Sequence, residues 1–139
     1  MPEFSKVVQA QIELLQGGDP LGAIDIYYAD NVQIFANSAL FAENLNDCRE
    51  KQAPFIDSAA SIEGKIEDLY IDENAQICVF RNLTTFSTSD GQRHQIDGIC
   101  WQRWKDGKII VENYFDGEQM KIHIDNGIMN NPASLIKQI

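Results

Sequence analysis

Residues 12–35 read IELLQGGDPLGAIDIYYADNVQIF, and this stretch decides the fold. The apolar positions at and before its start recur with the spacing of one helix face. Gly17-Gly18 ends that helix, because glycine adopts the left-handed conformation common just after a helix. Asp19-Pro20 begins a second helix, since aspartate caps free N–H groups and proline suits the first turn. We expect this helix to run to about Tyr28 and a short strand to follow over residues 32–36.

A third helix follows a connection over residues 37–46. Asp47-Cys-Arg-Glu50 has the spacing of a capping box, with a carboxylate three residues before a glutamate. We expect the helix to extend to about Ala60. Pro54 should kink or shorten it, because proline removes one backbone hydrogen bond and clashes with the preceding turn.

The second half of the chain predicts a sheet. Turn signals lie at residues 72–75, 89–91 and 105–107, and the last two contain the Asp-Gly pair that tight hairpins favour. The segments between them are rich in β-branched and aromatic residues. Three consecutive hairpins therefore predict a four-stranded antiparallel meander. Helices first and strands later indicate an α+β domain, with the helices on one face of the sheet.

Length and composition predict one domain over residues 1–139, with a core at 3–116 and a C-terminal tail at 117–139. Pro132 could open a short helix in that tail, carrying Leu135, Ile136 and Ile139. The net charge of −10 argues against a nucleic-acid partner. No apolar run approaches the roughly 20 residues of a membrane span, and the N-terminus lacks a signal-peptide pattern, so we expect a cytoplasmic protein.

The three cysteines indicate neither a disulfide framework nor a metal site. Cys48, Cys78 and Cys100 are far apart, form no C-x-x-C pair and have no histidine nearby. We therefore expect no metal and no cofactor. Cys78 and Cys100 are interpreted as small hydrophobic residues on strands, and a nucleophilic role for Cys100 stays open.

Four short motifs occur in the order and spacing of one known family. They are Leu15-Gln-Gly-Gly-Asp19, Tyr27-Tyr-Ala-Asp30, Cys48-Arg-Glu50 and Asp106-Gly-Lys-Ile109. Together they resemble the NTF2-like superfamily, in particular its SnoaL-like and ketosteroid-isomerase-like members. The resemblance implies an NTF2-like (cystatin-like) cone, in which three N-terminal helices pack on a curved, mostly antiparallel sheet around a pocket.

The residues that isomerases of this family use are not carried over. The position of their catalytic aspartate falls on Ala36, which cannot accept a proton. The position of their oxyanion-binding tyrosine falls on Gln11, and that of their protonated acid falls near Ile99 or Cys100, with Asp97 on the same predicted strand. The resemblance therefore argues against isomerase chemistry in its familiar form.

The last predicted strand, residues 108–116, carries the best candidate site. Alternation puts Ile110, Glu112, Tyr114 and Asp116 on one face, and Ile109, Val111, Asn113 and Phe115 on the other. Composition would bury the second face, whereas the resemblance puts Glu112 and Tyr114 at positions that look into the cavity. An alternative is that Glu112 forms a cross-strand ion pair with Arg103 or Lys108.

On the cavity interpretation, Glu112 and Tyr114 are the predicted catalytic residues. A carboxylate in an apolar cavity has its charged form disfavoured and can accept a proton near neutral pH, and a tyrosine can donate to an oxyanion. The predicted ligand-binding residues are Gln11, Cys100, Gln102, Trp104 and Asp116.

Two tryptophans suggest an assembly. Trp101 and Trp104 are three residues apart on one predicted strand and should point to opposite faces of the sheet. If Trp101 stands exposed on the outer face, it marks a partner surface. Family members commonly dimerise through that face, so the resemblance implies a homodimer.

Three hypotheses of function remain open. The first is a SnoaL-like enzyme that isomerises, dehydrates or cyclises a small molecule by proton transfer. The second is a non-catalytic domain that binds a small apolar molecule by burial and a few polar contacts. The third is an NTF2-like protein-interaction module.

Overall fold

The computed structural model describes residues 3–138, and the predicted role of Ile139 lies outside them. Its helices lie at both ends of the chain. They are α1 (Phe4–Gln16), α2 (Pro20–Tyr27), α3 (Leu45–Ser58), α4 (Gly117–Asp125) and a C-terminal 3-10 helix (Pro132–Gln138). Within the described residues, no helix combines the length and the apolar character needed to cross a membrane.

The strands form two sheets. The larger has the order β2-β1-β9-β8-β5-β4 and the smaller the order β3-β6-β7. All pairs are antiparallel except β1 with β9. The strands are β1 (Tyr28–Ala36), β2 (Ala39–Ala42), β3 (Ala59–Glu63), β4 (Ile66–Asp72), β5 (Ile77–Asn82), β6 (Thr85–Thr88), β7 (Arg93–Gln95), β8 (Gly98–Lys105) and β9 (Lys108–Asp116).

The predicted α+β class and the meander are confirmed, and the meander is bent. Each of its first three predicted strands is broken in two, giving β3 with β4, β5 with β6, and β7 with β8. Backbone hydrogen bonds hold the breaks together: Leu83 N–H donates to Lys65 O (2.8 Å), and Ile96 N–H donates to Thr84 O (2.7 Å). One half of each broken strand, namely β3, β6 or β7, belongs to the smaller sheet. The change of direction at the breaks curves the meander.

The junction between the first two helices forms as predicted. Gly18 has a φ of +79°, the left-handed conformation that favours glycine after a helix. Asp19 caps α2, because its Oδ1 accepts from the Gly22 N–H at 3.0 Å. The strand prediction was short at its start, since β1 begins at Tyr28 rather than at residue 32.

The prediction for residues 37–50 was wrong in two respects. Residues 39–42 form β2, because Asn37 and Ser38 both take positive φ and turn the chain back along β1. The cap of α3 is Asn44 rather than Asp47, since its Oδ1 accepts from the Asp47 N–H at 2.8 Å. The helix then continues through Pro54 to Ser58.

The outer face of the sheet is covered by the C-terminal tail. The helix α4 was not predicted, and the 3-10 helix begins at Pro132 as expected. Trp101 is only 1% exposed, and its Nε1–H donates to Pro132 O at 2.7 Å. Met120, Ile128 and Leu135 belong to the same buried cluster. The expectation of an exposed tryptophan on the outer face is therefore wrong, and the homodimer, which stays a prediction, loses that support.

The inner face of the sheet receives the three N-terminal helices. Trp104 lies on this face, opposite to Trp101 as predicted, and its ring packs against Phe4 and Tyr27 at 5.9 and 6.0 Å between centroids. Burial of each such large apolar side chain contributes about 1.5–3 kcal/mol. These contacts close one end of the space between the helices and the sheet.

Candidate functional site

A cavity of about 370 Å³ remains between the helices and the inner face of the sheet. Its wall is mostly apolar and includes five phenylalanines, at positions 35, 41, 55, 80 and 86. Phe55 and Phe86 meet edge to face, with 4.9 Å between ring centroids, and they join α3 to the smaller sheet. Among the described residues that line the cavity, Glu112 is the one carboxylate.

Glu112 is held by two neighbours from different strands. The Tyr28 hydroxyl donates to its Oε2, and Gln102 Nε2 donates to the same oxygen at 3.0 Å. Within the described residues, no group donates a hydrogen bond to Oε1. Fully buried polar atoms that lack a partner do not include Oε1, so this oxygen keeps some accessible surface. One carboxylate oxygen is therefore fixed, and the other is open to the cavity.

The side chain of Gln102 is itself held by hydrogen bonds from residues outside the cavity wall. Gln11 Nε2 donates to Gln102 Oε1 at 3.0 Å, and Gln102 Nε2 donates to Gln11 Oε1 at 2.8 Å. The Cys78 thiol donates to Gln102 Oε1 at 3.3 Å. Both protons of the Gln102 amide nitrogen are thus used, one on Gln11 and one on Glu112. Gln11 is 1% exposed and stands behind the wall rather than in it.

The surroundings of Glu112 raise its pKa above the ordinary value of 4.5. Loss of water around the carboxylate is the main cause, and the hydrogen bonds from Tyr28 and Gln102 partly oppose it by favouring the ionised form. The pKa of Tyr28 is raised well above 10.0, first by burial and then by the charge of Glu112. Tyr28 therefore acts as a neutral donor to the carboxylate.

The alternative of a cross-strand ion pair is not found. The residue opposite Glu112 on β8 is Gln102. Arg103 is exposed, and Lys108 Nζ donates to the Ile26 backbone oxygen. Glu112 faces a cavity, and its partners are uncharged.

The two arguments about the faces of β9 prove compatible, since both faces are covered. Phe115 belongs to the buried cluster under the tail, Asn113 is buried and accepts from the Ser38 N–H at 3.3 Å, and Glu112 and Tyr114 line the cavity. A register shift next to Trp104 moves Ile109 into the inner cluster, so the predicted alternation holds only beyond it.

Tyr114 lines the cavity but its hydroxyl points away from Glu112. Its ring lies over Gly98, where an added Cβ atom would overlap the ring and the hydroxyl. Gly98 pairs with Asp116 and Gln102 pairs with Glu112, so the Tyr114 hydroxyl lies toward the far end of the strand. Burial is the main cause that raises its pKa well above 10.0. Tyr114 is therefore placed as a neutral donor separate from Glu112.

The other predicted ligand-binding residues divide into two groups. Cys100 and Gln102 line the cavity. Burial raises the pKa of the Cys100 thiol well above 9.0, which argues against a nucleophilic role. Like Gln11, Trp104 and Asp116 do not line it, so the cavity gives their predicted role no support. Trp104 is enclosed by aromatic rings, and exposed Asp116 exchanges hydrogen bonds with Asn37 at 2.8 and 3.0 Å.

Tyr28 is the residue that sequence reasoning missed. It lies at the junction of α2 and β1, within a motif used only for the fold. Its contact with Glu112 depends on the parallel pairing of β1 with β9, across 84 positions of the chain. Within residues 3–136, no group of three or more histidine, cysteine or acidic side chains is placed to hold a metal ion.

Comparison with known proteins identifies the fold. Neither a protein-family model nor a curated protein sequence matches the chain. Many solved structures do. A protein from Mesorhizobium loti assigned to the SnoaL-like polyketide cyclases has a TM-score of 0.66 and 21% identity, covering 81% of this chain and 97% of its own.

Two further structures extend the comparison. A protein from Jannaschia sp. CCS1, also assigned to the SnoaL-like polyketide cyclases, has a TM-score of 0.66 and 12% identity, with 87% of this chain and 90% of that chain covered. TerC, co-crystallised with polyporic acid, has a TM-score of 0.62 and 10% identity, with 88% and 97% covered. Likeness at these identities concerns the fold, and the chain has the NTF2-like, cystatin-like fold of the SnoaL-like proteins.

Proposed function

We propose that this protein binds a small, largely apolar molecule in the cavity and transfers a proton to or from it through Glu112. The observation that carries the proposal is the state of this carboxylate. One oxygen is fixed by Tyr28 and Gln102, the other is open to an apolar cavity, and the pKa is raised. These are the properties of a general acid or base.

The different surroundings of the two carboxylate oxygens of Glu112 support the proposal. Two donors on Oε2 keep the group in one orientation, so the lone pairs of Oε1 face the space where a ligand would lie. Burial raises the pKa toward the range in which a carboxylate can both take and return a proton. The neighbours assigned as polyketide cyclases, and TerC with polyporic acid, are consistent with a small-molecule ligand in this fold.

The test uses 2-tetralone, a bicyclic ketone whose C1 and C3 protons exchange with deuterium when a base removes them. Exchange in D₂O is followed by proton NMR with and without the protein. We expect acceleration over buffer, of which the Glu112 carboxylate supplies about 10²–10⁴-fold. Glu112→Gln should abolish that part, because the amide keeps the shape and cannot accept the proton.

The matched control is Glu118→Gln, the same substitution at an exposed position on α4. It should exchange at the wild-type rate. Equal acceleration by wild type and Glu112→Gln would contradict the proposal, as would no acceleration at a concentration where 2-tetralone is bound.

A second candidate is binding without turnover. Ala36 lines the cavity, at the position where the family resemblance puts the proton-transferring aspartate. Saturable binding of 2-tetralone with no exchange above buffer would favour this candidate. The same NMR samples report both, because bound ligand broadens the tetralone signals whether or not its protons exchange.

A further inference from the structure

A second polar position lies on the cavity wall, away from Glu112. Asn82, the last residue of β5, lines the cavity. Its Oδ1 accepts from the Thr84 N–H at 3.1 Å and from the Thr84 hydroxyl. A backbone N–H can only donate, so the oxygen of the Asn82 amide is identified by its partner. The nitrogen, Nδ2, is therefore the atom of this amide that can donate a hydrogen bond to a ligand.

Asn82 Nδ2 is a donor without a partner among the described residues. This nitrogen makes no hydrogen bond to any described residue. It is nevertheless not among the fully buried polar atoms that lack a partner, so it is accessible from the cavity. An amide nitrogen carries two protons for donation. A ligand in the cavity can therefore receive a hydrogen bond at this point.

Tyr114 brings a second donor to the same place. Asn82 pairs with Gly98 across β5 and β8, and the Tyr114 hydroxyl lies over Gly98. Side chains directly opposite on paired strands are about 5 Å apart at Cβ. Because Gly98 has no side chain, the Tyr114 hydroxyl takes the space beside Asn82.

This donor pair is distant from Glu112. On β8, Gly98 lies beside Asn82, whereas Gln102 lies beside Glu112. Four residues of strand separate the two levels, which is about 13 Å. A ligand that reaches both is elongated, with the length of two or three fused or linked rings.

The charge of the wall restricts the ligand further. Among the side chains that the structure describes, no lysine, arginine or histidine lines the cavity, and Glu112 is the one carboxylate that does. The whole chain has a net charge of −10. An anion placed here would lose water without gaining a countercharge.

We propose that Asn82 Nδ2 and the Tyr114 hydroxyl form a binding site for an uncharged oxygen atom, a ketone or similar acceptor. The ligand is then an elongated, uncharged molecule and not a carboxylate, and the oxygen held here lies at the end remote from the carbon on which Glu112 acts. This inference rests on the proposed binding of a small molecule, but not on proton transfer by Glu112.

The experiment measures dissociation constants for three compounds of one shape: 4-acetylbiphenyl, 4-ethylbiphenyl and biphenyl-4-carboxylate. They differ in whether the terminal group offers an uncharged oxygen, no oxygen or a charge. For wild type at about pH 8, the carboxylate should bind at least about tenfold more weakly than the ketone. The ratio of ketone to hydrocarbon affinity is the quantity compared among variants.

Two different substitutions at Asn82 are used, so that the test does not depend on one variant folding correctly. Asn82→Leu removes the donor, and Asn82→Asp removes it while keeping the oxygen that Thr84 uses. Each should lower the ketone-to-hydrocarbon ratio by about five- to tenfold, the worth of one hydrogen bond. Tyr114→Phe should do the same, because it removes the other donor.

The matched controls are Asn46→Asp and Tyr70→Phe, the same changes at exposed positions outside the cavity. Both should keep the wild-type ratio. Proton exchange of 2-tetralone is measured separately, so failure of this site and failure of proton transfer are separate results. The proposal is overturned if wild type binds none of the three, binds the carboxylate as well as the ketone, or has a ratio that Asn82→Asp and Asn82→Leu leave unchanged.

Discussion

Replacing Tyr28 by phenylalanine removes one hydroxyl group beside Glu112 and leaves the ring in place. In the wild type, that hydroxyl donates to Glu112 Oε2, which also accepts from Gln102 at 3.0 Å. The hydrogen bond favours the ionised carboxylate, so its loss should raise the pKa of Glu112 further. Stability and the titration of Glu112 should therefore change together.

The size of the effect depends on the charge of Glu112. A hydrogen bond to a charged group contributes about 1.5–3 kcal/mol, and one between neutral groups about 1 kcal/mol. The variant should thus lose about 1.5–3 kcal/mol of unfolding free energy where Glu112 is ionised and about 1 kcal/mol where it is protonated. For a chain of this length, at about 3 °C per kcal/mol, the melting temperature should fall by about 5–9 °C in the first case and about 3 °C in the second.

The assay is thermal unfolding followed by circular dichroism from about pH 5 to about pH 9. The lower limit stays above the sequence pI of about 4.4, where reduced net charge favours aggregation. Tyr70→Phe, on an exposed tyrosine of β4, is the control and should lose little at any pH. A loss in Tyr28→Phe that is the same across the whole range would refute the reasoning, which requires the hydroxyl to contact a carboxylate whose raised pKa makes it titrate there.

Three further predictions concern Glu112, Gly98 and Trp101. Folding raises the pKa of Glu112 above 4.5, so the folded chain binds more protons than the unfolded chain just above that pH. The ionisation of this group therefore makes the unfolding free energy fall as pH rises. In denaturant titrations, the unfolding free energy of Glu112→Gln should increase relative to wild type with rising pH, until the wild-type carboxylate is fully ionised. Gly98→Ala should cost about 1–3 kcal/mol of unfolding free energy by overlap with the Tyr114 ring, measured in urea. Trp101→Phe should cost about 1–3 kcal/mol, because the Pro132 carbonyl loses its donor, and hydrogen exchange in α4 should speed up.

Each of these has a result that would contradict it. A constant difference between Glu112→Gln and wild type across pH would mean that folding does not raise this pKa. An unchanged stability in Gly98→Ala would mean that the Tyr114 ring does not lie over position 98. Faster exchange throughout the sheet in Trp101→Phe, rather than mainly in the tail, would mean that Trp101 supports the whole core and not the docking of the tail.

Local chemistry made much of the fold predictable. Gly18 and Asp19 end one helix and begin the next through conformational freedom and a side-chain cap, and both act over three or four residues. Alternation along a strand correctly separated Trp101 from Trp104 and grouped Glu112 with Tyr114, because side chains of a strand point to opposite faces in turn. These features require only neighbours in sequence.

No local signal indicates which residues meet across the chain. Gln11 and Gln102 are 91 positions apart, and Tyr28 and Glu112 are 84 apart, yet each pair is hydrogen-bonded. The outer face also illustrates this limit, since the tryptophan on that face was expected to be exposed, whereas Trp101 is covered by the tail. Periodicity indicates that a face is apolar but not which segment packs on it.

The sequence by itself thus determined the presence of three N-terminal helices, the antiparallel meander that follows them, their order and the grouping of side chains on one strand face. Only the tertiary structure decided that β1 lies parallel to β9 beside Glu112, that the tail covers the outer face, and that the space between the layers stays open. The physical reason is range: caps, turns and alternation act between neighbours, whereas the environment of a buried carboxylate is made by segments that meet only when the whole chain has folded.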